Sequence, residues 1–136
     1  MKTKPFDEEV FNRCDKPGIG ALQKYFAGKG YDVQPYPEGE YGVDLLCMKM
    51  FMVDAEVREG WAEGPFPFET IHVPGRKEKF IRPGTWFFSI RKDLKVAMAV
   101  NSLLCTSERL VIVDNKYLQE ECFYDIPADL AMRLEL

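Results

Sequence analysis

Val43-Asp44-Leu45-Leu46-Cys47-Met48, then Lys49-Met50, then Phe51-Met52-Val53-Asp54-Ala55-Glu56-Val57-Arg58 is the stretch that decides the fold. The first six residues are apolar except for one carboxylate, which is the pattern of a buried strand. The last eight alternate. Side chains of a strand point to opposite faces with a period of two. Phe51, Val53, Ala55 and Val57 therefore share one face, and Met52, Asp54, Glu56 and Arg58 share the other. The first face belongs to a core, while the second carries two carboxylates and a guanidinium in a row. Lys49-Met50 makes a tight connection between two strands of a hairpin.

Upstream, Asp15-Lys16-Pro17 predicts a helix start, with proline where its missing N–H costs nothing. Ile19, Leu22, Tyr25 and Phe26 recur at helical spacing, and Gly28-Lys29-Gly30 stops the run. Residues 1–14 read as an N-terminal arm or short helix, and Tyr31 to Gln34 as a short strand before a turn-rich stretch. Downstream, strands are expected at Thr70–Val73 and Leu110–Val113, and Trp86–Ile90 pairs with Val96–Val100 as a hairpin around 91–95. Pro127 is expected to open a final helix over 128–136. The sum is an α/β or α+β chain, a mixed central β-sheet flanked by helices, with residues 1–136 as a single domain.

A chain of 136 residues can bury roughly two-thirds of its unfolded surface and needs no metal or disulfide staple. No apolar run approaches the roughly 20 residues of a membrane span. No apolar stretch follows the N-terminal lysines, so an intracellular, cytoplasmic location without membrane contact is expected. Cys14, Cys47, Cys105 and Cys122 are widely spaced and form no C-x-x-C pair, which argues for free thiols. His72 is the only histidine, so metal sites or acid–base mechanisms built on two histidines are excluded. Neither G-x-x-x-x-G-K-[ST] nor G-x-G-x-x-G occurs. Chemistry must then rest on carboxylates, lysines, arginines or hydroxyls.

Charge is uneven along a chain of net charge -4. Residues 76–95 carry seven Lys and Arg against Glu78 and Asp93, a surplus of five positive charges. Arg76, Lys77, Lys79, Arg82, Arg91 and Lys92 are the candidate contacts to a polyanion such as DNA. A solvated basic hairpin accounts for the same run. Asp44 and Glu56, on neighbouring strands, are expected to come together at one sheet edge as a carboxylate pair of the kind that holds a hard cation. Asp54 and the carbonyl of Val57 are further candidate ligands.

A helix, then Gly42-Val43-Asp44-Leu45-Leu46, then Glu56-Val57-Arg58 resembles the PD-(D/E)XK nuclease superfamily, nearest to its small Holliday-junction-resolvase-like and phage-type members. The resemblance implies a restriction-endonuclease-like core and a magnesium- or manganese-dependent endodeoxyribonuclease that hydrolyses phosphodiester bonds, with branched DNA as one candidate substrate. It implies metal ligation by Asp44 and Glu56, with DNA as partner and a homodimer as an option. Arg58 stands where the family has lysine. An arginine is not deprotonated and cannot be a general base, though it can stabilise charge on a phosphate. Arg58 itself, or instead an amine from Lys77 or Lys79, is then expected to face the scissile phosphate.

Two other readings fit the same residues. One is a catalytically inactive PD-(D/E)XK-fold module that binds nucleic acid or protein. The other is a small interaction protein in which Glu56 and Arg58 are an ordinary ion pair. His72 reads as a structural residue on a strand. Trp61, Trp86 and Phe66-Pro67-Phe68 read as packing, although aromatic rings also stack on unpaired bases.

Overall fold

Asp7 opens the first helical run, its carboxylate accepting from Val10 N–H at 3.2 Å. The computed structural model describes residues 7–29, 31, 33–35, 45–47, 51–113 and 121–136, and at 34, 35 and 45–47 the backbone alone. The run passes from α1 (Glu8–Val10) through a π-helical turn (Phe11–Asp15) into α2 (Lys16–Gly28). The wider turn ends beside Pro17, which has no N–H to donate back along the helix. Asp15 has helical backbone angles and caps nothing. The expected helix start lies within a continuous run whose cap is Asp7, because the chain stays right-handed across Pro17. Residues 8–14 are thus helical rather than an arm, and 1–6 lie outside the described residues.

The strands are β1 (Val33–Pro35), β2 (Leu45–Cys47), β3 (Phe51–Arg58), β4 (Thr70–Pro74), β5 (Thr85–Arg91), β6 (Val96–Asn101), β7 (Leu110–Val113), β8 (Glu121–Pro127) and β9 (Met132–Glu135). Six form one mixed sheet in the order β1-β2-β3-β5-β6-β9, and three form a second in the order β4-β8-β7. The β2–β3 hairpin is antiparallel with Leu45 opposite Val53, while β3 and β5 run parallel from Met52–Thr85 to Arg58–Arg91. The fold is α+β, with helix on one face of the large sheet and the small sheet on the other.

Alternation in β3, β5 and β6 builds both layers. Leu22 and Phe26 of α2 pack on Val53, Ala55, Val57, Phe88, Ile90, Ala97 and Ala99. Trp61, Ile71, Val73, Tyr124 and Ile126 pack on Phe87, Val96, Met98 and Val100 on the far side. A strand buried on both faces explains why these segments read as near-continuous apolar runs. Gly18 brings the helix close, since a Cβ there would sit 2.7 Å from Val57 Cγ2.

The expected helix over 128–136 is not formed. A 3₁₀ turn (Ala128–Leu130) leads into β9, which pairs with β6, Leu134 opposite Ala97. Leu134 and Leu136 both pack against the helix-side core, a period of two rather than 3.6. β8 was not expected either, although Cys122, Tyr124 and Ile126 are buried on alternate positions. The expected strands at 70–73, 86–90, 96–100 and 110–113 are present.

Candidate functional site

The polar face of β3 looks toward the small sheet. Asp54 is only 5% exposed, an expensive place for a carboxylate without a partner. Its partner is Lys77, on the 3₁₀ helix Gly75–Phe80 that follows β4. Lys77 Nζ lies 2.5 Å from Asp54 Oδ2 and 3.6 Å from Glu56 Oε2. Arg58 completes the row. Its guanidinium donates to Glu56 Oε1 at 3.3 Å, to Ser89 Oγ at 3.2 Å and to the His72 carbonyl at 2.5 Å. That planar fork ties β3 to both β4 and β5.

Asp15 reaches the same strand from the helix side, its Oδ1 accepting from Val57 N–H at 3.1 Å. A residue's N–H and C=O point to one edge of a strand, so the Val57 carbonyl turns toward that edge as well. Burial pushes the Asp15 carboxyl up to about 6; the Val57 bond opposes this and the Glu56 charge adds to it. Burial also works against a charged Glu56, but Arg58, Lys77 and Arg76 outweigh it and hold Glu56 below the ordinary carboxylate range. Burial likewise opposes the Lys77 ammonium, and Asp54 and Glu56 more than offset it, raising the group above its ordinary value. At neutral pH, Lys77 is therefore held as a charged ammonium.

Asp54, Glu56, Arg58, Lys77 and Ser89 surround a small space of about 10 Å³, room for one water at most. Glu56 and Arg58 also line a groove of about 720 Å³ that runs past Gly60 to Phe66-Pro67-Phe68 and His72. The cluster thus opens to solvent through Glu56.

Of the expected catalytic and metal residues, Asp54, Glu56, Arg58, Lys77 and the Val57 backbone are brought together. Asp44 lies outside the described residues. Asp54 and Glu56 offer the hard oxygen donors that magnesium takes. Among the described residues, no group of three or more His, Cys, Asp or Glu is placed to hold a metal ion. Within the described set, the negative charge of the pair is met by Lys77 and Arg58.

The expected DNA contacts do not form one patch. Arg76, Lys77 and Lys79 sit on the 3₁₀ helix, Lys77 against Asp54 and Glu56, and Arg82 just beyond contacts Met52 in β3. Arg91 and Lys92 lie at the opposite end of β5, roughly 20 Å from its Met52 end at about 3.3 Å per residue. Arg91 is held by Asp93 and by the Gly64 carbonyl at 2.9 Å. Lys79 and Lys92 are exposed, with Lys79 Nζ 5.2 Å from the Phe80 ring centre.

Asp15 and Ser89 were missed in the sequence. Ser89 had a signal, as the single polar residue within Trp86–Ile90. Asp15 had none beyond its place before Pro17. Comparison of the chain with models of known families, with curated proteins and with solved structures gave no match. Among the described residues, no helix is long and apolar enough to cross a membrane.

Proposed function

We propose that the chain is a metal-dependent endonuclease that hydrolyses phosphodiester bonds in DNA, with Asp54, Glu56, Lys77 and Arg58 as its reactive cluster. The observation that carries this reading is Lys77, a nearly buried amine brought from a separate helix onto two strand carboxylates. It supplies the cation that the PD-(D/E)XK pattern has two residues after the second acid, where this chain has Arg58. Asp54, Glu56 and the Val57 carbonyl, with Asp44, would hold magnesium or manganese. A divalent cation bound there supplies an acidified water and a Lewis acid.

The chain's own groups do the rest. Hydrolysis adds water to phosphorus and expels one ester oxygen, and negative charge grows on the phosphoryl oxygens on the way. Lys77 and Arg58 are fixed cations that meet that charge without rearrangement. Glu56, the more open carboxylate, faces the groove from which a phosphate would enter.

Cleavage of branched, duplex and single-stranded DNA by the wild type, Asp44→Asn, Asp54→Asn, Glu56→Gln and Lys77→Arg tests the reading. Activity should require magnesium or manganese, vanish in the three carboxylate variants and survive in part in Lys77→Arg. A wild type that cleaves nothing and binds neither metal by calorimetry ends it. Arg58 favours a second reading, an inactive binding module on the same cluster. Three of its five donors go to Glu56, Ser89 and the His72 carbonyl, a structural use. That reading expects DNA or protein binding with no cleavage under any metal.

A further inference from the structure

The edge of a sheet carries unpaired backbone groups, and proteins blunt such edges with proline or charge. β1 ends at Pro35 and β4 at Pro74, and Arg58 also holds β4 through the His72 carbonyl. β7, Leu110-Val111-Ile112-Val113, has no charge that could set a register. β9 is different. Met132-Arg133-Leu134-Glu135 alternates apolar and charged residues, and its two charges have opposite sign. Among the described residues, no strand pairs with the outer side of β9.

Pairing with β6 fixes what β9 turns outward. Leu136 N–H donates to the Lys95 carbonyl at 2.9 Å, so the backbone groups at 132, 134 and 136 point to β6. Those of Arg133 and Glu135 point away, because consecutive residues alternate edges. Side chains alternate as well. Leu134 and Leu136 pack on the helix-side core, which puts Arg133 and Glu135 on the opposite face. Both charged side chains are more than half exposed, at 52% and 68%, and they pair with each other within the strand. Met132, on the face of Leu134, is exposed too.

We infer that β9 is the pairing edge for a second copy of this chain, antiparallel about a two-fold axis at Leu134. In that register Arg133 lies opposite the partner's Glu135, and Glu135 opposite the partner's Arg133. Both pairs are of the hydrogen-bonded kind, in which the two residues exchange N–H···O bonds in each direction. Each also sets opposite charges face to face. Leu134 meets the partner's Leu134 at the closer, non-hydrogen-bonded spacing, and Met132 meets the partner's Leu136. Sliding by two residues puts Arg133 opposite Arg133 or Glu135 opposite Glu135, like charges that disfavour the register. Sliding by one sets the charged face of one copy beside the apolar face of the other. The strand is thus self-complementary in one register, as the patch of an isologous dimer must be. The inference stands apart from the endonuclease reading.

Sedimentation equilibrium of the full chain at low ionic strength, from about 1 μM to 1 mM, tests it. Wild type should dimerise within that range, weakly, because one strand pair is a small interface. Arg133→Glu and Glu135→Arg each make both cross-strand pairs alike in charge. Each should weaken the dimer between roughly 4- and 800-fold, since two attractive pairs are lost and two repulsive ones gained. Mixing the two single variants should restore association as a heterodimer, which also shows that each is folded. The double variant Arg133→Glu/Glu135→Arg should restore the homodimer. Ile112→Lys, on the exposed part of β7, should leave the wild-type dimer unchanged. A wild type that stays monomeric to the highest concentration would overturn the inference. So would undiminished association in either single variant, or none in the mixture or the double variant. Loss of the dimer in Ile112→Lys but not in Arg133→Glu would place the interface on β7 and overturn it as well.

Discussion

Lys77→Met strands a buried carboxylate, and the cost follows from the geometry. The Lys77 and Asp54 side chains are 12% and 7% exposed and their charged atoms lie 2.5 Å apart, so water screens the pair weakly. Removing one member of such a pair costs about 3–5 kcal/mol, because the remaining charge stays buried without compensation. Domains of this size are stable by about 5–15 kcal/mol, so the variant forfeits a large share. Glu56 suffers less, since Arg58 remains at 3.3 Å. The pH for the assay follows from the shifts. Lys77 is held above the ordinary lysine value of 10.5, so its contribution is complete below that pH and is lost only as pH rises through the higher folded value. Glu56 is held below 4.5, so its contribution is present above that pH and fades as pH falls through the lower folded value. Urea unfolding at pH 7.5 therefore reads both in full. Adding Asp54→Asn to Lys77→Met should recover at least half the loss, since the stranded charge is gone. A Lys77→Met variant within about 0.5 kcal/mol of wild type, or a double variant no better than the single, would refute the claim that this pair is buried and mutually dependent.

Gly18→Ala should lose about 1–2 kcal/mol, because its Cβ would press on Val57 Cγ2 at 2.7 Å and outweigh the helix-propensity gain. Gly20→Ala meets nothing within 4 Å and should gain about 0.5–1 kcal/mol, so opposite shifts in Tm check both. Asp15, raised from 3.8 to about 6, binds its proton more tightly folded than unfolded and so costs stability progressively as pH rises between those values. Asp15→Asn removes that slope and should gain on wild type by up to about 3 kcal/mol between pH 4 and pH 7 in denaturant titrations. Arg58→Lys should destabilise rather than restore a missing catalytic amine, because an ammonium cannot span Glu56, Ser89 and the His72 carbonyl as the fork does. Higher cleavage by Arg58→Lys than by wild type would show that position 58, not Lys77, is where the amine belongs.

Much of the fold was legible because its central strands obey a simple period. Phe51–Arg58 alternates cleanly, and the described β2–β3 pairing makes it a hairpin. Asp93 accepts from Lys95 N–H in the β5–β6 turn, a local contact that a hairpin reading anticipates. The C-terminal segment was misread because Pro127 followed by Ala128-Asp129-Leu130 is a sound helix start, and only pairing with β6 makes 132–135 a strand. Tertiary contact overrides local preference most easily in short segments with few residues to vote. The partition of the basic residues was hidden for a related reason. A strand that joins two charged turns sets them a strand length apart, however close they lie in sequence.

The cluster of Asp54, Glu56, Arg58 and Lys77 shows where reading a motif along one strand stops short. Alternation alone puts Asp54, Glu56 and Arg58 on one face, and this much was available from residues 51–58. It also makes position 58 the natural place to look for a lysine. The amine that meets the acids instead arrives 21 residues after Glu56, from a helix that β4 delivers. Buried Pro74 and Gly75 close that strand and turn the chain, and the Lys77 stem then crosses to β3. Arg58 braces β3 against β4 and β5. The chain position that supplies the cation beside Asp54 is set by packing rather than by spacing along β3. Spacing along one strand therefore finds Asp54, Glu56 and Arg58, while packing pairs Asp54 with Lys77 and Glu56 with Arg58.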